Sequence, residues 1–305
     1  MDKKISALII TILICIHSFS GCSSKQINQN KIESQKIDSL IKMHKVNDRT
    51  VMVNFGYDAV TAIKTTHGIV LVDAGISTLL TDKFRKTFED VFRQNNYLYV
   101  INTHGHHDHI AGNGIFSQAK VVGHENCQDD ISERWTNPDK SMMNLSRIIE
   151  DYEQHLRQSM PNTVEWNDIF TQKIRYMSAL WDVKNHVSVR LPDITFSDSL
   201  KIELGDTTFE LIYFGRFHSN SDILIYVPEI RTLFIGDLFS KYGRPSMNTS
   251  LITDEIRWMQ AIKWIKKRTN NYDTIIDGHG QILTIDDVQL FTNNLLKKYS
   301  HGENN

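Results

Sequence analysis

The sequence predicts a layered α/β fold. Short β-branched runs bounded by turn residues alternate with helical spacings along most of the chain. The composition is that of a globular protein, with 40% of the 305 residues apolar and 23% charged. There is no internal repeat and no low-complexity segment. A chain of this length suits one large domain or two small ones.

The first element stands outside that fold. Lys3 and Lys4 precede an apolar run at residues 5–16, shorter than the roughly 20 residues that a membrane-spanning helix needs. Ser18-Phe19-Ser20-Gly21-Cys22 follows, and small residues before a cysteine resemble a bacterial lipobox. Residues 1–21 therefore read as a signal peptide. Cys22 becomes the lipid-bearing N-terminus, and the protein is expected in the cell envelope, periplasmic or on the outer face. A plain secretory signal cleaved nearby is the alternative. Residues 22–46 are polar and lack glycine and proline, so they read as a lipid-anchor tether that turns helical near Ile37. The folded domain is expected over residues 47–301.

Within it, β-branched runs at 51–55, 59–64 and 69–72 predict strands, separated by Gly56 and His67-Gly68. Leu80, Phe84, Phe88 and Val91 recur at helical spacing and predict a helix over 77–94. Residues 97–101 form a buried strand. Further strands are expected at 194–196, 200–204, 208–214, 223–227, 233–235 and 273–276, and helices at 254–268 and 284–299. A helical insertion spans about 140–185. Leu145, Ile148, Ile149, Tyr152 and Leu156 share one helical face, as do Phe170, Ile174, Met177 and Trp181 after Pro161. Those faces either cover a sheet and one another, or form a lid whose Tyr152, Tyr176 and Trp181 line a substrate pocket.

Charge and cysteine content exclude some function classes. Lys plus Arg number 34 and Asp plus Glu 36, so a net charge of −2 gives no electrostatic footprint for nucleic acid. Of three cysteines, Cys15 leaves with the signal and Cys22 is acylated. Cys127 remains alone and reads as a small buried residue, not a nucleophile. The conspicuous residue is histidine: 13 in all, with four inside Thr103-His104-Gly105-His106-His107-Asp108-His109. In an extended segment side chains alternate, so His104 and His106 point the same way and can grip one cation. Asp108 and His109 follow as the chain turns and can address a second position. Packing four imidazoles together without a metal would set like charges against one another at mildly acid pH. His107 should alternate away from the metals and is not expected to be a ligand. His124, His155 and His186 read as structural or exposed.

This string resembles the metallo-β-lactamase superfamily, and three more pieces match that family in order. Gly215-Arg216-Phe217-His218 precedes a strand, as the family's third histidine does. Gly236-Asp237 follows a strand and matches its bridging aspartate, and Asp277-Gly278-His279-Gly280 matches its last histidine. Asp73-Ala74-Gly75 resembles the early Asp-x-Gly element, whose aspartate supports the site from behind the ligands. The resemblance covers residues 49–299 without the insertion. It implies a four-layer αβ/βα sandwich with two divalent metal ions. His104, His106 and His218 would form site one, and Asp108, His109 and His279 site two, with Asp237 between them. All seven positions hold residue types that bind zinc, and the aspartate oxygens leave iron and manganese open.

What the resemblance implies chemically is hydrolysis. Two cations about 3.5–4 Å apart share a water and lower its pKa to roughly 7, so the bridging hydroxide attacks and Asp108 orients it. The expected substrate is a small molecule with an activated acyl bond, such as a β-lactam amide or a related cyclic amide or ester. Lys241, just beyond Asp237, resembles the lysine that holds the substrate carboxylate in class B β-lactamases. Aspartate instead of cysteine at position 237 looks more like the glyoxalase II and lactonase branch, so a lactonase or thioesterase is the alternative. A superfamily nuclease is disfavoured by the charge. A di-iron oxidoreductase or a non-catalytic metal-binding protein are the rivals from other classes.

The export reading predicts that Cys22→Ser releases the protein from membranes into the soluble fraction, because residues 5–16 are too short to hold it there. Fractionation and immunoblotting check this, and continued tight membrane association after signal cleavage would refute the lipid anchor.

Overall fold

The computed structural model describes residues 36–131, 133–238, 255–290 and 293. The expected signal peptide, Cys22 and Lys241 lie outside the described residues. Thirteen strands among them form two sheets. The first sheet runs β1 (Lys42–Lys45), β2 (Thr50–Phe55), β3 (Asp58–Lys64), β4 (Ile69–Val72), β5 (Tyr97–Ile101), β6 (Lys120–His124) and β7 (Ile194–Phe196), in that spatial order. The second contains β8 (Ser199–Glu203), β9 (Thr208–Tyr213), β10 (Ile223–Val227), β11 (Thr232–Phe234), β12 (Thr274–Ile276) and β13 (Ile282–Leu283), in the reverse spatial order. β1 to β4 are antiparallel neighbours, and β4 to β7 pair in parallel. In the second sheet only β11 and β12 pair in parallel.

Three apolar clusters order these elements into layers. Met52, Ile63, Val70, Val72 and Ile101 meet Phe209, Leu211, Ile223, Ile225, Phe234 and Ile276 between the sheets. On the outer face of the first sheet, Val51, Val53, Ile69 and Leu71 pack with Leu80, Phe84 and Phe88 of α1 (Thr78–Phe92). On the outer face of the second, Leu224, Leu233 and Ile275 pack with Ala261, Ile262 and Ile265 of a helix at Glu255–Lys267. This is the expected four-layer sandwich. β4 is buried along its whole length, as a strand covered on both faces must be, so its four residues read as an uninterrupted apolar run. The 3–4 spacing of Leu80, Phe84 and Phe88 puts them on the buried stripe of α1, and the Ser77 side chain accepts from Leu80 N to cap its first turn.

Three strands are not expected from the sequence: β1, β6 and the two-residue β13. β1 falls within the expected tether. Its residues are exposed, so no alternation marks it, yet it pairs with β2 from Lys42–Asn54 to Lys45–Val51. Just before it, residues 36–40 form a helical turn whose Ile37 is buried in the outer cluster. Ordered structure therefore starts before residue 47, because Ile37 supplies an apolar anchor and the edge of β2 supplies unpaired backbone groups. β6 was hidden by Gly123, a residue that argues against a strand. It is required here, since a Cβ at 123 would come within 2.8 Å of Cys127 Sγ and 2.9 Å of Pro192. Of the helix expected at 284–299, residues 285–290 are seen as helical. No helix of the described residues is long and apolar enough to cross a membrane.

The insertion is a helical pair joined by a short turn. We number the short helix at the site α2 (His107–Ile110), the insertion helices α3 (Pro138–Gln158) and α4 (Val164–Lys184), and the Glu255–Lys267 helix α5. Phe170, Ile174, Ala179, Leu180 and Val183 of α4 join the outer cluster with Leu145 of α3. Tyr152 and Tyr176 stack on each other with ring centroids 5.8 Å apart, so these two expected pocket aromatics serve packing. Polar bonds fix α4 to the start of α1. Thr78 N and Oγ1 donate to the two carboxylate oxygens of Asp182 at 2.8 and 2.6 Å, and Ser77 Oγ donates to Ser178 Oγ at 2.9 Å.

Because Asp182 is buried and receives both bonds from Thr78, Asp182→Ala should cost about 1–3 kcal/mol of stability. Urea denaturation measures this, and an unchanged midpoint would show that the bonds from Thr78 to Asp182 do not hold α4 in place.

Candidate metal centre

Every candidate donor sits just beyond a strand end, at the same rim of the two sheets. β4 leads to Asp73, β5 to His104–His109, β11 to Asp237 and β12 to His279, while His218 lies in the loop between β9 and β10. The structure brings the seven residues together. Ring nitrogens of His104, His106 and His218 lie within 4.8 Å of one another; so do donor atoms of His104, His109 and Asp237, and of Asp108, His109 and His279. His106 Nδ1 and His218 Nε2 are 2.9 Å apart. Asp237 Oδ2 is the meeting point, at 3.1 Å from His279 Nε2, 3.4 Å from His218 Nε2 and 3.6 Å from His109 Nε2.

Contacts on the far side of the rings fix which atoms face inward. Asp73 accepts from Thr103 N at 2.8 Å and Thr103 Oγ1 at 2.9 Å, and its Oδ2 lies 2.9 Å from His109 Nδ1. His109 Nε2 is thereby left toward the centre. Asp73 holds this role from a left-handed backbone conformation (φ 61°), a strain that three hydrogen bonds offset. His279 Nδ1 donates to the Tyr57 carbonyl at 2.7 Å, which likewise turns its Nε2 inward. Asp222 gathers Phe217 N, His218 N and Ser219 N at 2.7–3.0 Å and so shapes the His218 loop. That loop is tied to the histidine string through Ser221, whose Oγ accepts from Gly105 N at 2.9 Å and donates to Asp130. Glycine at 278 is needed for close approach, since a Cβ there would collide with Asp237 Oδ1 and with the His109 ring.

Electrostatics divides the donors in two. Burial, reinforced by His109, holds His104 well below the ordinary imidazole range, and burial with His218 lowers His106. These rings are neutral donors. Burial also opposes charge on His109 and His279, but Asp237 beside both overrides it, raising His109 and bringing His279 to about 9. Burial opposes charge on Asp108 too, yet His107, His109 and His279 hold its carboxyl well below the usual range.

The pattern of unmet hydrogen bonds tests whether a cation fits. His104 Nε2, His109 Nε2 and Asp237 Oδ1 are buried without a hydrogen-bond partner. An orphaned buried polar atom costs about 1–3 kcal/mol. Imidazole nitrogen and carboxylate oxygen are the donor types of zinc and related divalent ions, so the residues present fit such ions.

Other candidates fall elsewhere. His107 belongs to none of the donor groups and is 28% exposed on its side chain. His124 is buried, bonded to Ser197 O at 2.8 Å and stacked on Tyr213. His155 and His186 are exposed. Cys127 is buried, and burial pushes its thiol up to about 12, which makes it inert. Three residues near the centre carried no sequence signal. Asp58 is buried, accepts from Ile76 N at 2.9 Å and is raised to about 6 by burial. Asp130 braces the loops. Arg175, on α4 of the insertion, places Nη2 3.7 Å from Asp108 Oδ2.

Comparison with known proteins agrees with this architecture. The family model of the metallo-β-lactamase superfamily matches residues 54–279. Curated relatives include the type 2 metallo-β-lactamases of Bacillus sp. (strain 170) and Bacillus cereus. They are 22% and 20% identical over 220 residues, covering 72% of this chain but only 65% and 66% of the relatives. Among solved structures, a metallo-β-lactamase from Pontibacter korlensis superposes with a TM-score of 0.54 at 16% identity, over 84% of this chain and 99% of that one. A double mutant of the sec-alkyl sulfatase PisA1 gives 0.57 at 15% identity, over 88% of this chain and 43% of that one. At such identities the likeness concerns the fold. The match over residues 54–279 takes in every strand-end donor from Asp73 to His279, and the chain belongs to the metallo-β-lactamase superfamily.

Proposed function

We propose that the protein is a metal-dependent hydrolase that opens an activated acyl bond in a small molecule, first of all a β-lactam amide or a related cyclic amide or ester. The observation that carries this is the convergence of seven donor residues, among which His104 Nε2, His109 Nε2 and Asp237 Oδ1 are buried without a hydrogen-bond partner. His104, His106 and His218 would hold one divalent ion, and Asp108, His109 and His279 a second, with Asp237 serving both. Zinc is the ion proposed. Divalent ions at such a site polarise an acyl carbonyl and make water nucleophilic near neutral pH.

The chain's own residues do the remaining work. Asp108 is ionised and 21% exposed on its side chain, so it can accept the proton of an attacking water and pass it to the leaving nitrogen or oxygen. Asp73 and the Tyr57 carbonyl keep His109 and His279 in the tautomers that present Nε2. Cys22 as a lipid anchor would set this chemistry in the cell envelope, where β-lactams and lactones arrive. Lys241 is proposed as the contact for a substrate carboxylate. Asp237, in place of a softer cysteine, favours a second reading, a lactonase or thioesterase of the glyoxalase II-like branch. A panel of β-lactams, lactones and thioesters assayed with the zinc-loaded protein separates the two. Retained metal with no turnover on any of them would overturn the hydrolase reading.

On this reading Asp108→Asn should lower kcat by at least about 100-fold, whereas His107→Ala should change it by no more than about twofold. Metal content should also survive the His107 substitution. Steady-state kinetics and elemental analysis check both, and the opposite ranking would mean that His107, not Asp108, serves the centre.

Metal binding should also release protons. His109 and His279 are held protonated by Asp237 in the metal-free protein, whereas a cation binds the neutral ring. Affinity for zinc should therefore rise as pH increases toward 9, the value to which His279 is raised. The metal-free protein should lose stability over the same rise, because the stabilising charge on His279 is complete below the ordinary imidazole value of about 6.5 and is lost on passing through the raised one. Calorimetry in buffers of different protonation enthalpy reads the proton release directly, and none at pH 7 would contradict this account.

A further inference from the structure

Arg175 lies at the centre without belonging to any of its motifs. It sits midway along α4, is 4% exposed, and cannot be a solvated surface charge. Guanidinium stays protonated in proteins, so its burial has to be compensated locally. Nη1 donates to Gln172 Oε1 at 2.8 Å, Nη2 lies 3.7 Å from Asp108 Oδ2, and Nε–H is buried without a hydrogen-bond partner. The second buried carboxylate that feels this charge is Asp58. Asp58 already accepts from Ile76 N, and its other oxygen has no hydrogen-bond partner.

The two oxygens of Asp108 face different ways. Oδ2 faces Arg175, whereas Oδ1 lies 3.9 Å from His109 Nε2 and equally far from His107 Nδ1. A carboxylate in a cluster of imidazoles has several rotamers of similar energy, and a fixed cation on one side selects among them. Arg175 is fixed, because three and seven residues further along α4, Ser178 and Asp182 are bonded to Ser77 and Thr78.

We infer that Arg175 is a positioning residue for Asp108: by pairing with Oδ2 it turns Oδ1 toward His109, so the helical insertion completes the centre. This rests on the reading of Asp108 as a metal ligand. It gives the insertion a role different from that of a lid, since the group it delivers is buried behind the ligands.

The test is cobalt(II) titration of the full-length protein, followed by visible absorption, which needs no substrate. Arg175→Met removes the charge at similar length. It should alter the cobalt spectrum and weaken the second binding step by about 10–100-fold. Arg175→Lys, which keeps the charge but not the fork, should recover part of the loss. The double variant Asp58→Asn/Arg175→Met removes both buried charges. It should regain the thermal stability lost by Arg175→Met while keeping the altered spectrum and the weakened step. It also carries the test if Arg175→Met alone fails to fold. Recovery of spectrum and affinity together with stability would show that Arg175 only balances Asp58 and would overturn the inference, as would wild-type cobalt binding by Arg175→Met. Failure of the wild type to bind cobalt at all would instead remove the metal reading, and this inference with it.

Discussion

Crowding imidazoles and carboxylates into a few ångströms is unfavourable unless each group is held from behind. That constraint organises this molecule. Asp237 Oδ2 lies within 3.6 Å of three imidazoles delivered by three different loops, and none of those loops could stay in place by its own propensity. Each is braced instead: the histidine string by Asp73 and Ser221, the His218 loop by Asp222 and Asp130, and the His279 turn by Asp277 and the Tyr57 carbonyl. The braces come from both sheets and from the turn between β2 and β3. The sandwich is therefore the frame that makes the cluster tolerable, and the unsatisfied inward atoms are what remains for a cation to satisfy.

The donors were legible in the sequence because they are consecutive or follow strands whose apolar runs are easy to see. His104 to His109 is one string, and Asp237 and His279 each follow a buried strand end. Of the braces, Asp73 was legible in its Asp-x-Gly element, and the others were not. Asp58, Asp130 and Asp222 are ordinary polar residues in loops or at strand ends, and only three-dimensional proximity reveals their partners. β1 escaped notice because an edge strand needs no buried face, and β6 because Gly123 reads as a break. Both lie where tertiary pairing overrides local preference.

The insertion illustrates the same lesson at larger scale. Its periodicity was plain, and the sequence left packing and lid as equal readings. Its apolar faces pack into the outer cluster and its tyrosines on each other, which is the packing answer. Yet a single buried guanidinium on α4 touches the centre from behind. Helical spacing shows which residues share a face, but not that one polar member of that face meets a carboxylate from a segment more than sixty residues away.

The distribution of donors along the chain also bears on how the molecule assembles. Asp73 and the histidine string belong to the first sheet, whereas His218, Asp237 and His279 come with the second, after the long helical pair. Contacts between these two sets join residues far apart in sequence, the kind whose closure costs the most chain entropy. A partly folded chain holding only the first sheet has His104, His106 and His109 but lacks Asp237, the carboxylate on which the rings converge. A cation that needs donors from both halves would bind the completed sandwich tightly and so stabilise it over states in which the sheets have parted.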